Sequence, residues 1–127
     1  MYEVINFATG NTMSVTIYHN PKCSKSRQTL ELLRSKGIQP MIIEYLKDPP
    51  DKDTLKKILR LLKLTPRDLM RKKEDIYKKS KLDRNDLGDA ALITAMIKHP
   101  VLIERPIVLA NGKAALGRPP EKILEII

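Results

Sequence analysis

The stretch SVTIYHNPKCSKSRQTLELLRSKG, Ser14 to Gly37, holds a strand, a turn and a helix in succession. SVTIYHN (Ser14 to Asn20) is short and rich in β-branched and aromatic residues, the composition of a buried strand. Pro21 breaks it. After the turn, Leu30, Leu33 and the Thr29/Leu32 side recur at helical spacing, and Gly37 supplies the stop. Cys23, the one cysteine of the chain, sits in the turn, just ahead of the first helical residues.

Further along, QPMIIEYL (Gln39 to Leu46) reads as a second strand, and the helix between the two predicts a parallel, right-handed crossover. DPPDKD then interrupts the pattern. From Thr54, Leu55, Ile58, Leu59 and Leu62 follow the i, i+3, i+4, i+7 series of an amphipathic helix. Thr65, Pro66 and Asp68 have the order of an N-cap, a first-turn proline and a third-position carboxylate, which predicts a short helix through Met70. Another helix, roughly Asp86 to Lys98, buries Leu92, Ile93, Met96 and Ile97 and stops at Pro100, with His99 in a C-cap position.

The last segment changes grammar. PIVLA and KAALG flank Asn111-Gly112, the strongest short signal for a β-hairpin. Pro119 and Pro120 open a closing helix, Glu121 to Ile126, with Ile123, Leu124 and Ile127 available to pack on a sheet. The order β-α-β, helical insert, β-β-α describes an α/β fold: a thioredoxin-like, mixed four-stranded sheet with a helical insertion, about residues 51–99, between its βαβ and ββα halves. Residues 1–12, MYEVINFATGNT, lack a clear period and precede a second methionine at Met13. They are expected to be a leader or a segment left by cloning, with a single domain over residues 13–127.

Composition narrows the function. A chain of 127 residues with 42% hydrophobic content builds one core of ordinary size. No apolar run reaches membrane-spanning length and no secretory signal is visible, so a cytoplasmic protein without a membrane partner is expected. One cysteine and two histidines cannot assemble a tetrahedral zinc site, and no metal is expected. The net charge is +9, most of it between Lys56 and Arg84, where twelve Lys or Arg face four acidic residues. Such a block is usually a solvated helical face; with one Phe, no Trp and no nucleic-acid-binding motif, nucleic acid is not an expected partner.

Cys23 falls where open α/β sheets bind ligands, at the carboxyl end of a strand and before a helix. Free backbone N–H groups and the positive end of that helix favour a thiolate, and Lys22, Lys25 and Arg27 add charge. Against this stands the frequency of buried, unreactive cysteines. The polar, proline-containing turn decides for reactivity, because it surrounds the sulfur with donors and almost no apolar mass. Ser26, three residues on, is placed to donate its hydroxyl to the sulfur but cannot close a disulfide. Any redox cycle must take its second thiol from outside the chain. His19 either orients the loop or sets charge near the thiolate.

SVTIYHNPKCSKSRQTL, LMRKKEDIY, HPVLIERPIV and LGRPPEKILEI together resemble the arsenate reductase family of the glutaredoxin-coupled, thioredoxin-fold type, in particular its shorter, less characterised members. The likeness runs from Met13 to the end, in order. It implies Cys23 as nucleophile, His19 as the histidine of the same turn, and Arg71, Arg105 and Arg118 as the oxyanion-binding set. Ser26, Arg27 and Pro106 would support them, the Arg105-Pro106 bond matching the cis-proline position of the fold. It also implies arsenate as substrate, glutathione as co-substrate, glutaredoxin as partner and no bound cofactor. Guanidinium forks suit that task, since an arsenate dianion approaching a thiolate needs fixed cations to offset like-charge repulsion. Two other functions compete: a monothiol thiol-disulfide oxidoreductase, and an Spx-like adaptor that binds an acidic partner through the basic face.

Overall fold

The structure is a computed structural model that describes the backbone of residues 2–6 and 11–127 and the side chains from Ser14 onward. The chain divides into two compact units, Met1–Tyr45 with Arg105–Ile127, and Leu46–Glu104.

The first unit is the sheet unit. Its strands are β1 (Tyr2–Asn6), β2 (Asn11–His19), β3 (Met41–Glu44), β4 (Ile107–Ala110) and β5 (Lys113–Leu116), with helix α1 (Ser24–Ser35) between β2 and β3. β2 is central. It pairs parallel with β3, Thr16 opposite Met41 and His19 opposite Glu44, and antiparallel with β4, Tyr18 opposite Ile107. β4 pairs antiparallel with β5. The expected mixed sheet is therefore present in the order β3-β2-β4-β5. The hairpin turns at Asn111 and Gly112, whose φ values of 54° and 71° meet the need of a tight type I′-like turn for two left-handed residues.

At the amino terminus, part of the expected leader pairs with the sheet. β2 starts at Asn11, three residues before the expected strand, and β1 runs antiparallel to it, from Tyr2 opposite Val15 to Asn6 opposite Asn11. Val15 also pairs with Ala110, so β1 lies on the β3 side of β2 and adds a fifth strand to the sheet. An edge strand is held by its backbone ladder and needs no alternating side-chain pattern to announce it. Met1 and residues 7–10 of the expected leader lie outside the described residues.

One face of the sheet carries the core of this unit: Val15 and Ile17 from β2, Leu30 and Leu33 from α1, Val108, Ala110, Ala115 and Ile123. The closing segment, Pro120–Glu125, is a 3₁₀-helix. Its three-residue period aligns Pro120, Ile123 and Ile126, all buried, and turns Leu124, expected to pack on the sheet, out to 40% exposure.

The second unit is helical: α2 (Lys52–Leu62), α3 (Pro66–Leu69), α4 (Asp75–Lys79), α5 (Asp89–Lys98) and a 3₁₀ turn, Pro100–Leu102. Asp51 caps α2 by accepting from the Thr54 N–H at 2.8 Å. Thr65 and Asp68 form a complete capping box on α3, with Pro66 in the first turn. α5 starts at Asp89 rather than Asp86, ends with His99 at its C-cap, and packs against α2, α3 and the 3₁₀ turn. Leu92, Ile93 and Met96 are buried as expected, while Ile97 is half-buried. α4 had no counterpart in the sequence reading, because its one buried side chain is Tyr77 and a single apolar position has no period. Arg67 fixes the chain after it, donating from Nη1 to Tyr77 Oη at 2.6 Å and to the Leu82 carbonyl at 2.8 Å. Among the described residues no helix is long and apolar enough to cross a membrane.

Candidate active site

The turn between β2 and α1 builds the site. Cys23 is the N-cap residue of α1, in an extended conformation (φ −99°, ψ 124°), and its own N–H donates to the Asn20 carbonyl at 3.0 Å. Its carbonyl accepts the first helical bond from the Arg27 N–H at 3.0 Å. This leaves the first free N–H groups of α1 for the side chain of Cys23. Burial pushes the half-buried thiol up. The Ser26 backbone N–H, the charge and hydrogen bond of the Arg105 guanidinium and the Lys25 N–H outweigh that effect and hold it below the ordinary cysteine range.

Ser26 acts differently from the sequence reading. Its side chain is fully buried and its hydroxyl is engaged away from the sulfur: it lies 2.6 Å from His19 Nδ1 and accepts the Asn20 N–H at 3.0 Å. The group of Ser26 that serves the thiol is the backbone N–H. The helix start dictates this, since an N-cap side chain meets the N–H groups two and three residues ahead. His19 is buried at 6% exposure. Burial pushes its pKa down; Glu44 opposes this, and Arg34 and Arg27 reinforce it, so the surroundings favour the neutral imidazole.

The second wall comes from the far end of the chain. The Arg105–Pro106 and Arg118–Pro119 bonds are both cis. Arg118 Nη1 donates to the Arg105 carbonyl at 3.1 Å, and the Gly117 N–H donates to the Pro106 carbonyl at 3.0 Å. Gly117 was not singled out in the sequence. A Cβ there would stand 2.8 Å from Pro106 Cγ and inside the side chain of Thr29, whose hydroxyl donates to the Lys25 carbonyl at 2.8 Å. The glycine thus lets the segment bearing Arg118 lie directly on α1 and Pro106. A lone glycine between a strand and a diproline has no signature of that contact.

Cys23, Ser26, Arg27, Arg105, Pro106 and Arg118 all belong to the sheet unit, as does His19. Arg27 folds back on the turn, donating from Nη1 to the Pro21 carbonyl at 2.9 Å. Arg71 belongs to the helical unit. There its Nε lies 3.2 Å from Glu74 and its Nη1 2.9 Å from Glu104, and its N–H donates to the Leu102 carbonyl at 2.7 Å.

A mixed sheet whose one cysteine stands at a strand-to-helix turn, beside the segment that bears Arg105, defines a thioredoxin-like domain. The family profile described as ArsC matches residues 18–126, and the chain belongs to that family. It is 53% identical over 117 residues to the uncharacterized protein YfgD of Escherichia coli (strain K12), covering 91% of this chain and 98% of that one. It is 51% identical over 116 residues to an arsenate reductase of Haemophilus influenzae, covering 91% and 100%. The solved structure of an arsenate reductase from Vibrio cholerae superposes with a TM-score of 0.89 at 54% identity, over 92% of this chain and 100% of that one.

Proposed function

We propose that the protein reduces arsenate to arsenite through a covalent adduct on Cys23, resolved by glutathione and glutaredoxin. The observation that carries this reading is the environment of one sulfur. Burial opposes the thiolate, and two backbone N–H groups and the Arg105 guanidinium favour it, beside a second arginine, Arg118, bonded to the Arg105 backbone. A sulfur stabilised in this way is a nucleophile, and adjacent guanidinium groups lower the cost of bringing a dianion to it. About half-identical relatives that bear the name arsenate reductase support the same substrate.

The steps balance with one protein thiol. The Cys23 thiolate attacks the arsenic of hydrogen arsenate, forming the S–As bond, and one oxygen leaves as water after taking up two protons. Glutathione thiolate then attacks Sγ of Cys23. The S–S bond forms, the S–As bond breaks with its electron pair passing to arsenic, and arsenic goes from the +5 to the +3 state. Two protons complete arsenous acid. A glutaredoxin thiolate attacks the glutathione sulfur of the mixed disulfide and returns Cys23 as thiolate. Arg105 and Arg118 hold the oxyanion; Arg71 is assigned to the same task on the family pattern; His19 and Ser26 hold the turn. No bound cofactor takes part, and the glutathione pool this cycle draws on is cytoplasmic.

The test is arsenate-dependent NADPH oxidation with glutathione, glutaredoxin and glutathione reductase supplied. Turnover that needs every component and vanishes in Cys23→Ser is the expected result. Deglutathionylation without arsenate turnover would replace this reading with that of a monothiol oxidoreductase.

A further inference from the structure

Cys23 and His19 feel different arginines of the sheet unit. Arg105 acts on the Cys23 sulfur, whereas Arg27 and Arg34 act on His19. The latter pair borders a groove of about 680 Å³ whose wall is one face of α1 and whose rim is the turn that carries Cys23. His19, Ser24, Arg27, Gln28, Glu31 and Arg34 line it. Arg34 is 46% exposed, and its bond to the 74% exposed Glu31, at 3.4 Å, is an open, weak pair that a ligand can displace. Arg27 is tied to the turn through Nη1 alone.

The chain has a single cysteine, so every cycle of Cys23 needs a thiol from outside. We propose that this groove is the docking site of that thiol, and that it takes a small zwitterionic peptide thiol of the glutathione class, with Arg27 and Arg34 receiving its two carboxylates and Glu31 its ammonium group. This rests on the reading of Cys23 as the nucleophile of an oxyanion reductase, and names where the second thiol of that reaction binds. The charges are complementary in number and sign: two guanidinium groups and one carboxylate face two carboxylates and one ammonium. The groove's volume suits a tripeptide, and Gln28 offers a donor and an acceptor to its amide bonds. Separate cation sets also solve a problem of traffic. The oxyanion adduct and the carboxylate-rich thiol are both anionic, and one shared arginine cluster would make them compete.

The probe is S-methylglutathione, which keeps the charges and cannot react, titrated into the full chain and followed by amide NMR shifts. The expected result is saturable shifts confined to the turn and the Ser24–Arg34 face of α1. Binding should weaken about ten-fold in Arg34→Glu and with the diethyl ester of the probe on the unaltered chain, and should fall in ~1 M salt. Because Arg27 also clamps the turn, Arg34→Glu and the ester carry the comparison. In turnover, Arg34→Glu should raise the KM for glutathione and leave the KM for arsenate in place. Absent shifts, or shifts indifferent to Arg34→Glu and to esterification, would overturn the groove even if arsenate is reduced. Binding that behaves as described without arsenate turnover would keep the groove and remove the arsenate reading.

Discussion

His19 Nδ1 and Ser26 Oγ lie 2.6 Å apart in the buried floor of the turn, and the backbone N–H of the same serine helps to lower the pKa of Cys23. Side chain and backbone of one residue thus do two tasks: the hydroxyl closes the turn, and the amide charges the thiol. Ser26→Ala separates them. It leaves His19 Nδ1 without its partner and the Asn20 N–H without its acceptor, at a cost of roughly 1–3 kcal/mol of stability measured by denaturant unfolding. The thiol of this variant should still titrate below free cysteine; titration at the free value would make the hydroxyl the donor.

Arg105 supplies both charge and a hydrogen bond to Cys23. Arg105→Ala should raise the thiol pKa, read from the pH dependence of iodoacetamide alkylation, and weaken oxyanion protection in the same assay. Arg105→Lys should recover part of the pKa effect, because charge remains, and little of the protection, because the planar fork is lost. Equal behaviour of the two variants would reduce Arg105 to a point charge.

His19 links folding to pH. Its pKa is lowered in the folded chain, by burial first, so the unfolded state binds more protons wherever the unfolded histidine is protonated and the folded one is not. The stability from this group is complete above about pH 6.5 and is lost as the pH falls from there toward the folded pKa. His19→Gln should be less stable at neutral pH and should flatten the slope of unfolding free energy as the pH falls below about 6.5. An unaltered slope would take His19 out of that linkage.

Gly117→Ala places a methyl group into Thr29 and Pro106. Overpacking of this kind costs typically 1–3 kcal/mol. The variant should unfold earlier and, since the following residue is Arg118, should also bind arsenate more weakly. Loss of stability with unchanged arsenate binding would make Gly117 a packing residue only.

Much of the fold was legible because its signals are local. Ser14 to Gly37 announced strand, turn and helix; Asn111-Gly112 announced a hairpin whose two left-handed residues the structure contains; Thr65, Pro66 and Asp68 announced a capped helix. The remainder depends on partners distant in sequence. β1 is visible only once β2 is there to pair with it. The close fit of Gly117 against Thr29 joins positions 88 residues apart. At the site, Cys23 stood out by position, but which group of Ser26 would meet the sulfur could not be read from its spacing of three. An N-cap geometry offers both hydroxyl and amide, and the buried His19 decides between them.

The central claim is that Cys23 is a thiolate facing an oxyanion site. The rate of its alkylation against pH, with and without arsenate, tests that most directly. The account predicts a midpoint below the ~8.5 of free cysteine, and slowing by arsenate that is lost in Arg105→Ala. A midpoint at the free-cysteine value together with no effect of arsenate would contradict it.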